Sequence, residues 1–179
     1  MNQEKFRYLA AIVAAHPEKR IYGRTRLQKT IKLLQRLGLP TDYDFMNYFY
    51  GPYSEGIQFD IGLLKEFGLI RESIHEKKGS SEKQGNSYYI IEATDKCQQM
   101  EIDKKFQDAI NTLAKKNTDV LELAATYVAF REMDSDHKDA LERLKRKKGG
   151  KCTPQNLKKA DSLLKQLNLL EKEHSLYAT

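Results

Sequence analysis

The chain has 179 residues, 40% of them hydrophobic and 31% charged, which suits one ordinary domain or two small ones with a wet surface. Its formal net charge is +6, a mild excess that hints at a polyanion partner only where it is concentrated. Two cysteines exclude a disulfide framework, and no apolar run approaches the ~20 residues of a membrane span or carries a signal-peptide cleavage pattern, so a cytoplasmic protein without a membrane partner is expected.

In chain order, Gln3 to Ala15 places Phe6, Leu9, Ile12 and Val13 on one helical face, and His16-Pro17 ends it. After a short loop with Gly23, Arg24 to Leu37 shows a stripe of Leu27, Ile31, Leu34 and Leu37. Lys29, Lys32 and Arg36 fall on the opposite side, a basic stripe that suits either a polyanion partner or a solvated face. Gly38 and Pro40 stop that helix. Thr41 to Tyr50 reads as extended, and Gly51-Pro52 as a corner braced by Tyr48, Tyr50 and Tyr53. Ser54 stands where an N-cap belongs, and a third helix runs to about Phe67, with Ile57, Ile61, Leu64 and Phe67 facing inward. Gly68 supplies its left-handed stop.

Leu69 to Glu76 and Asn86 to Glu92 read as two strands joined by the polar tip KKGSSEKQG. Three helices and a hairpin in that order make a winged helix-turn-helix unit over residues 1–93. A connecting helix is expected over 94–117, from Asp95 to Lys116. Residues 118–179 read as a three-helix unit: Thr118 to Met133, Asp136 to Lys148, and a last helix after Thr153-Pro154. The run VLELAATYVAF from Val120 to Phe130 is apolar all round, as a buried axis would be. The octet from Leu63 to Ile70 matches that from Leu163 to Leu170 at four positions, so the C-terminal unit is read as a second helix-turn-helix-like module, against chance likeness of two helix ends. The fold class expected is α+β, mostly α.

The four histidines, His16, His75, His137 and His174, show no zinc spacing. The stretch Asp134 to Asp139 lacks the glycine of a calcium loop, and Lys145 stands where its glutamate should be, so helix capping is the simpler reading. No nucleophile elbow, phosphate loop or dinucleotide fingerprint occurs, and no catalytic residue, cofactor or metal ligand is assigned. Cys152, beside Lys151 and before a helix start, sits where a thiol pKa can fall.

Gly23-Arg-Thr-Arg-Leu-Gln-Lys29, then Phe49-Tyr-Gly-Pro-Tyr-Ser54, then Leu64 to Ile70 resemble the Panacea/SocA-type antitoxin domain over about the first half of the chain. With Glu122-Leu-Ala-Ala-Thr126, the Lys-rich segment to Lys151 and the helix Leu157 to Leu170, the likeness extends over most of the chain to proteins of the YwgA type. The resemblance implies a non-catalytic, winged-helix-like protein of prokaryotic or phage origin. It also implies a protein partner: a toxin, a protease or a subunit of a defence complex.

Two readings of function follow. The first is protein interaction, with Tyr48, Tyr50, Tyr53, Glu55 and Gln58 as candidate contacts. The second is a regulator of double-stranded DNA, using Arg24, Arg26, Lys29, Lys32 and Arg36, the wing-tip Lys77, Lys78 and Lys83, and Arg146, Lys147, Lys148, Lys158 and Lys159. The third helix carries Glu55, Asp60 and Glu66 against Lys65, which opposes its seating on phosphate. Oligomeric state is open, a homodimer among the options.

Overall fold

The computed structural model describes residues 3–76, 87–133 and 135–177, and over these the protein is α+β and mostly helical. Helix α1 (Gln3–Ala15) is followed by a short strand β1 (Arg20–Tyr22), where the sequence pattern predicts a loop. Only Ile21 marks it, buried between two outward side chains, so its signal is a single apolar residue. Helix α2 (Arg24–Arg36) leads to a hairpin of β2 (Met46–Tyr48) and β3 (Gly51–Tyr53). Helix α3 (Glu55–Glu66) and strands β4 (Ile70–Glu76) and β5 (Ser87–Ala93) complete this half. The sheet order is β1-β5-β4, antiparallel throughout, with Ile91 opposite both Ile21 and Glu72.

The expected connecting helix is broken. Helix α4 (Asp95–Gln98) and helix α5 (Lys104–Ala114) are separated by a turn in which Met100 and Ile102 pack against the core. Helix α6 (Thr118–Arg131) is the axis: every residue from Val120 to Phe130 is buried, under α2, β3 and the helices that follow. Those are α7 (His137–Lys148), a 3-10 turn at Gly149–Lys151, and α8 (Pro154–Gln166). Asp136 and Thr153 cap their helices through their side chains, and Asn117 does so for α6. Asp134 lies outside the described residues. Buried side chains from Leu9 in α1 to Leu176 near the C-terminus form one core cluster.

Three local expectations are corrected. The chain turns at Phe49-Tyr50, a two-residue loop, rather than at Gly51-Pro52, which lie inside β3 with Gly51 at φ +84°. Ser54 occupies the N-cap of α3, but its hydroxyl makes no capping bond. Phe67 is 58% exposed, edge-on to Phe6 at 5.7 Å between ring centroids. No helix among the described residues is long and apolar enough to cross a membrane.

Candidate interaction site

The separate sequence motifs meet beneath the β2–β3 hairpin. From α2, the Gln28 side chain accepts from the Ser54 amide and donates to the Ser54 carbonyl, both at 2.9 Å. The neighbouring Lys29 donates to the Pro52 carbonyl at 2.6 Å. From the end of α7, Lys148 donates to the Phe49 carbonyl at 2.9 Å and Lys147 to the Asn47 carbonyl at 3.3 Å. Side chains of two helices therefore take up the backbone acceptors that a hairpin of this length leaves open.

Helix α6 supplies the counter-charge. Asp119, Glu122 and Thr126 share one helical face by their spacing. Glu122, 2% exposed, pairs with Lys148 at 2.7 Å and with Lys151 at 2.8 Å, and Lys151 also meets Asp119 at 3.0 Å. Burial works to lower the Lys151 pKa, but its bonds to Glu122 and Asp119 outweigh that and raise it. Lys29, 1% exposed, has no such direct partner among the described residues; burial pushes its pKa down to about 8, with Glu122 opposing and Lys148 adding to the fall. The Thr126 hydroxyl is buried without a hydrogen-bond partner among the described residues and abuts Gly51, where an added Cβ would collide with it.

On this base the hairpin exposes its aromatics. Tyr48, Phe49 and Tyr50 are 50%, 83% and 61% exposed. Phe49 packs edge-on to Tyr50 and Tyr48 edge-on to Tyr53, with centroids 5.1 and 5.4 Å apart. Met46 and Met133 are exposed beside them, and the Asn47 amide donates to the Met133 sulfur at 3.4 Å.

The expected basic face of α2 is not a solvated face. Lys29 is covered by the hairpin and α6. Lys32 is buried, paired with Glu132 and lying over the Phe45 ring. Arg24 makes a bidentate pair with Glu72 at 2.7 Å and stacks on Tyr89. Arg26 donates to the Lys116 carbonyl, and burial lowers its pKa. Of that group only Arg36 is exposed, at 3.9 Å from Glu132. Helical periodicity placed Lys29 and Lys32 correctly opposite the leucines. What it could not see is that a distant hairpin and α6 cover that side as well.

Among the C-terminal candidates, Arg146, Lys158 and Lys159 are exposed, whereas Lys147 and Lys148 face the hairpin. Lys77, Lys78 and Lys83 lie outside the described residues. Glu55 is exposed and Gln58 half-buried on α3, away from the tip. Asp60, counted as a surface charge, is buried and accepts from the Tyr43 hydroxyl at 2.7 Å. The suggested low thiol pKa at Cys152 is reversed: burial raises it, against the pull of Lys145 and Lys148. Glu122 and Thr126 went unselected as site residues, because nothing in an apolar helix announces which of its faces meets a hairpin.

A search of curated proteins finds the Uncharacterized protein YwgA of Bacillus subtilis (strain 168), 31% identical over 126 residues, which are 66% of this chain and 70% of that protein. No family model matches the chain. No solved structure matches it either.

Proposed function

The chain belongs to the YwgA family, and from that premise we propose a non-catalytic binding protein, cytoplasmic and built on a winged-helix scaffold, that engages a protein partner through the aromatic hairpin. The order α1-β1-α2-α3-β4-β5, with β1 pairing to β5, supports the winged-helix reading. The exposure of Tyr48, Phe49 and Tyr50 on a backbone held from below carries the interaction reading. Exposed aromatics on a held backbone lose little entropy on docking, and tyrosine is enriched at interface hot spots. An antitoxin or adaptor role, as implied by the likeness to the Panacea/SocA-type domain, fits such a surface. The duplex-DNA reading is weaker, because Arg24, Lys29, Lys32 and Lys148 are already engaged within the protein.

The test is a photo-crosslinking amino acid placed at Phe49, with the same group at the exposed Ile74 of β4 as control. A discrete protein adduct from position 49, absent from position 74 and lost when Tyr48 and Tyr50 are changed to alanine, is the expected result. Equal labelling from both positions, or an adduct with nucleic acid alone, would overturn the reading.

A further inference from the structure

The proposed interaction surface is electrically lopsided. Five lysines touch the hairpin or its lead-in: Lys29, Lys32, Lys147 and Lys148 as described, and Lys151 at 5.9 Å from the Tyr50 ring. Three carboxylates answer them, and all three are already engaged: Glu122 is shared between Lys148 and Lys151, Asp119 pairs with Lys151, and Glu132 is shared between Lys32 and Arg36. Among the described residues no carboxylate bonds to the hairpin itself. Lys147 has no carboxylate partner among them, only the long bond to a carbonyl. Lys148 and Arg143 crowd it, so a half-buried ammonium at the edge of the aromatic tip is under-neutralised. The opposite end of the hairpin is net acidic: Asp42, Asp44 and Glu55, against the one cation Lys5, line a shallow cavity of about 270 Å³ with Met46.

We propose that the partner docks an acidic segment carrying bulky apolar side chains, a carboxylate lying over Lys147 and its apolar groups against Phe49 and Tyr50. This rests on the hairpin being the interaction surface. The sign gradient along the hairpin fixes the direction of docking, since a carboxylate brought to Asp42 and Asp44 would be repelled. Ring geometry favours a protein over single-stranded nucleic acid. Successive bases need open parallel faces, and here the pairs stand edge-on at 82° and 64°.

The test selects random displayed peptides on the immobilised full chain and titrates the best binder by fluorescence anisotropy. Selected peptides should be rich in Asp and Glu interleaved with Phe, Leu or Trp. Their affinity should fall about tenfold or more on Phe49→Ala and on Lys147→Glu, less on Lys147→Ala, and should weaken with salt. Circular dichroism of each variant checks that the fold is kept. Binders that need Phe49 but show no acidic excess and ignore Lys147→Glu overturn this inference and leave the hairpin reading standing. An absence of any Phe49-dependent binder overturns both. Oligothymidylate or duplex DNA bound at low salt and lost on Phe49→Ala assigns the surface to nucleic acid and overturns the acidic partner.

Discussion

Gly51 decides whether the hairpin can lie on α6. Its φ of +84° already disfavours any side chain, and a Cβ there would meet the buried Thr126 hydroxyl. Gly51→Ala should destabilise the protein by roughly 2–4 kcal/mol, about 1 from the backbone and the rest from overpacking. Denaturant unfolding of Gly51→Ala alone and in a Thr126→Ala background measures both parts. The second background should recover the overpacking share, and strictly additive losses would show that the hydroxyl is not the obstacle. Lys29 sets a pH dependence at the same spot. Its folded pKa of about 8 lies below the ordinary 10.5, so between those values the unfolded chain holds a proton that the folded chain lacks. Stability from this group therefore rises with pH across that window. Cys97, pushed up to about 11 by burial, acts in the opposite sense above its ordinary value of 9.0, so the informative quantity is wild type minus Lys29→Met. That difference should climb by up to roughly 3 kcal/mol from pH 8 upward, and a flat difference would mean that Lys29 is not held as described.

At the scale of elements, the octets at Leu63 and Leu163 look alike because both are helix ends. A third copy stands at Leu33-Leu34-Gln35-Arg36-Leu37-Gly38-Leu39. In all three the amide of the left-handed residue bonds back three positions and the next amide five: Gly38 and Leu39 in α2, Gly68 and Leu69 in α3, Asn168 and Leu169 in α8. This is a Schellman stop, with Leu34, Leu64 and Leu164 in the core before it and Leu39, Leu69 and Leu169 in or against the core after it. Shared stop chemistry is by itself sufficient to produce the likeness. Gly38 has nothing within 4 Å of an added Cβ, so Gly38→Ala isolates the backbone cost, about 1–2 kcal/mol, while Asn168→Gly should gain up to about 1. Thermal melts of the two variants should therefore move in opposite directions. Signals of this local kind made α1, α2, α3, α6, α7, α8 and the β4–β5 pair legible. The β2–β3 hairpin was missed because its turn residues are Phe49 and Tyr50, neither a usual turn former, with glycine placed one residue late. The break between α4 and α5 was missed because QMEID contains no Gly or Pro. The bend there sets Met100 and Ile102, partly buried, against the core.

Across the whole molecule, α6 is where long-range contacts are settled, and its polar groups show how. Removing the Glu122 charge by Glu122→Gln would leave Lys148 buried without its partner beside Lys29, a loss of about 3–5 kcal/mol measurable by urea unfolding. At the far side of α6 the C-terminal stretch, residues 168–177, is fastened by titratable groups. The His137 ring stacks on His174 with centroids 4.2 Å apart, and shares a hydrogen bond of 2.9 Å with the Tyr127 hydroxyl. Arg131 donates to that hydroxyl and pairs with Glu171, which also meets His174 at 3.0 Å. From α8, Asp161, itself paired with Lys165, accepts the amide of the buried Leu176. Burial, then the neighbouring His174, holds His137 below its ordinary 6.5, so the fold opposes its protonation. As pH falls through that region the unfolded or detached state binds the extra proton, and attachment weakens. Glu171 stays ionised down to about 2, held first by its own backbone amide and then by His174, so it does not titrate in this window. Hydrogen exchange at the Leu176 amide, corrected for the intrinsic rate, should show protection falling between about pH 7 and pH 5. His174→Gln should flatten that profile. Protection that is constant over this range in the wild type would show that the stacked imidazoles do not govern the attachment.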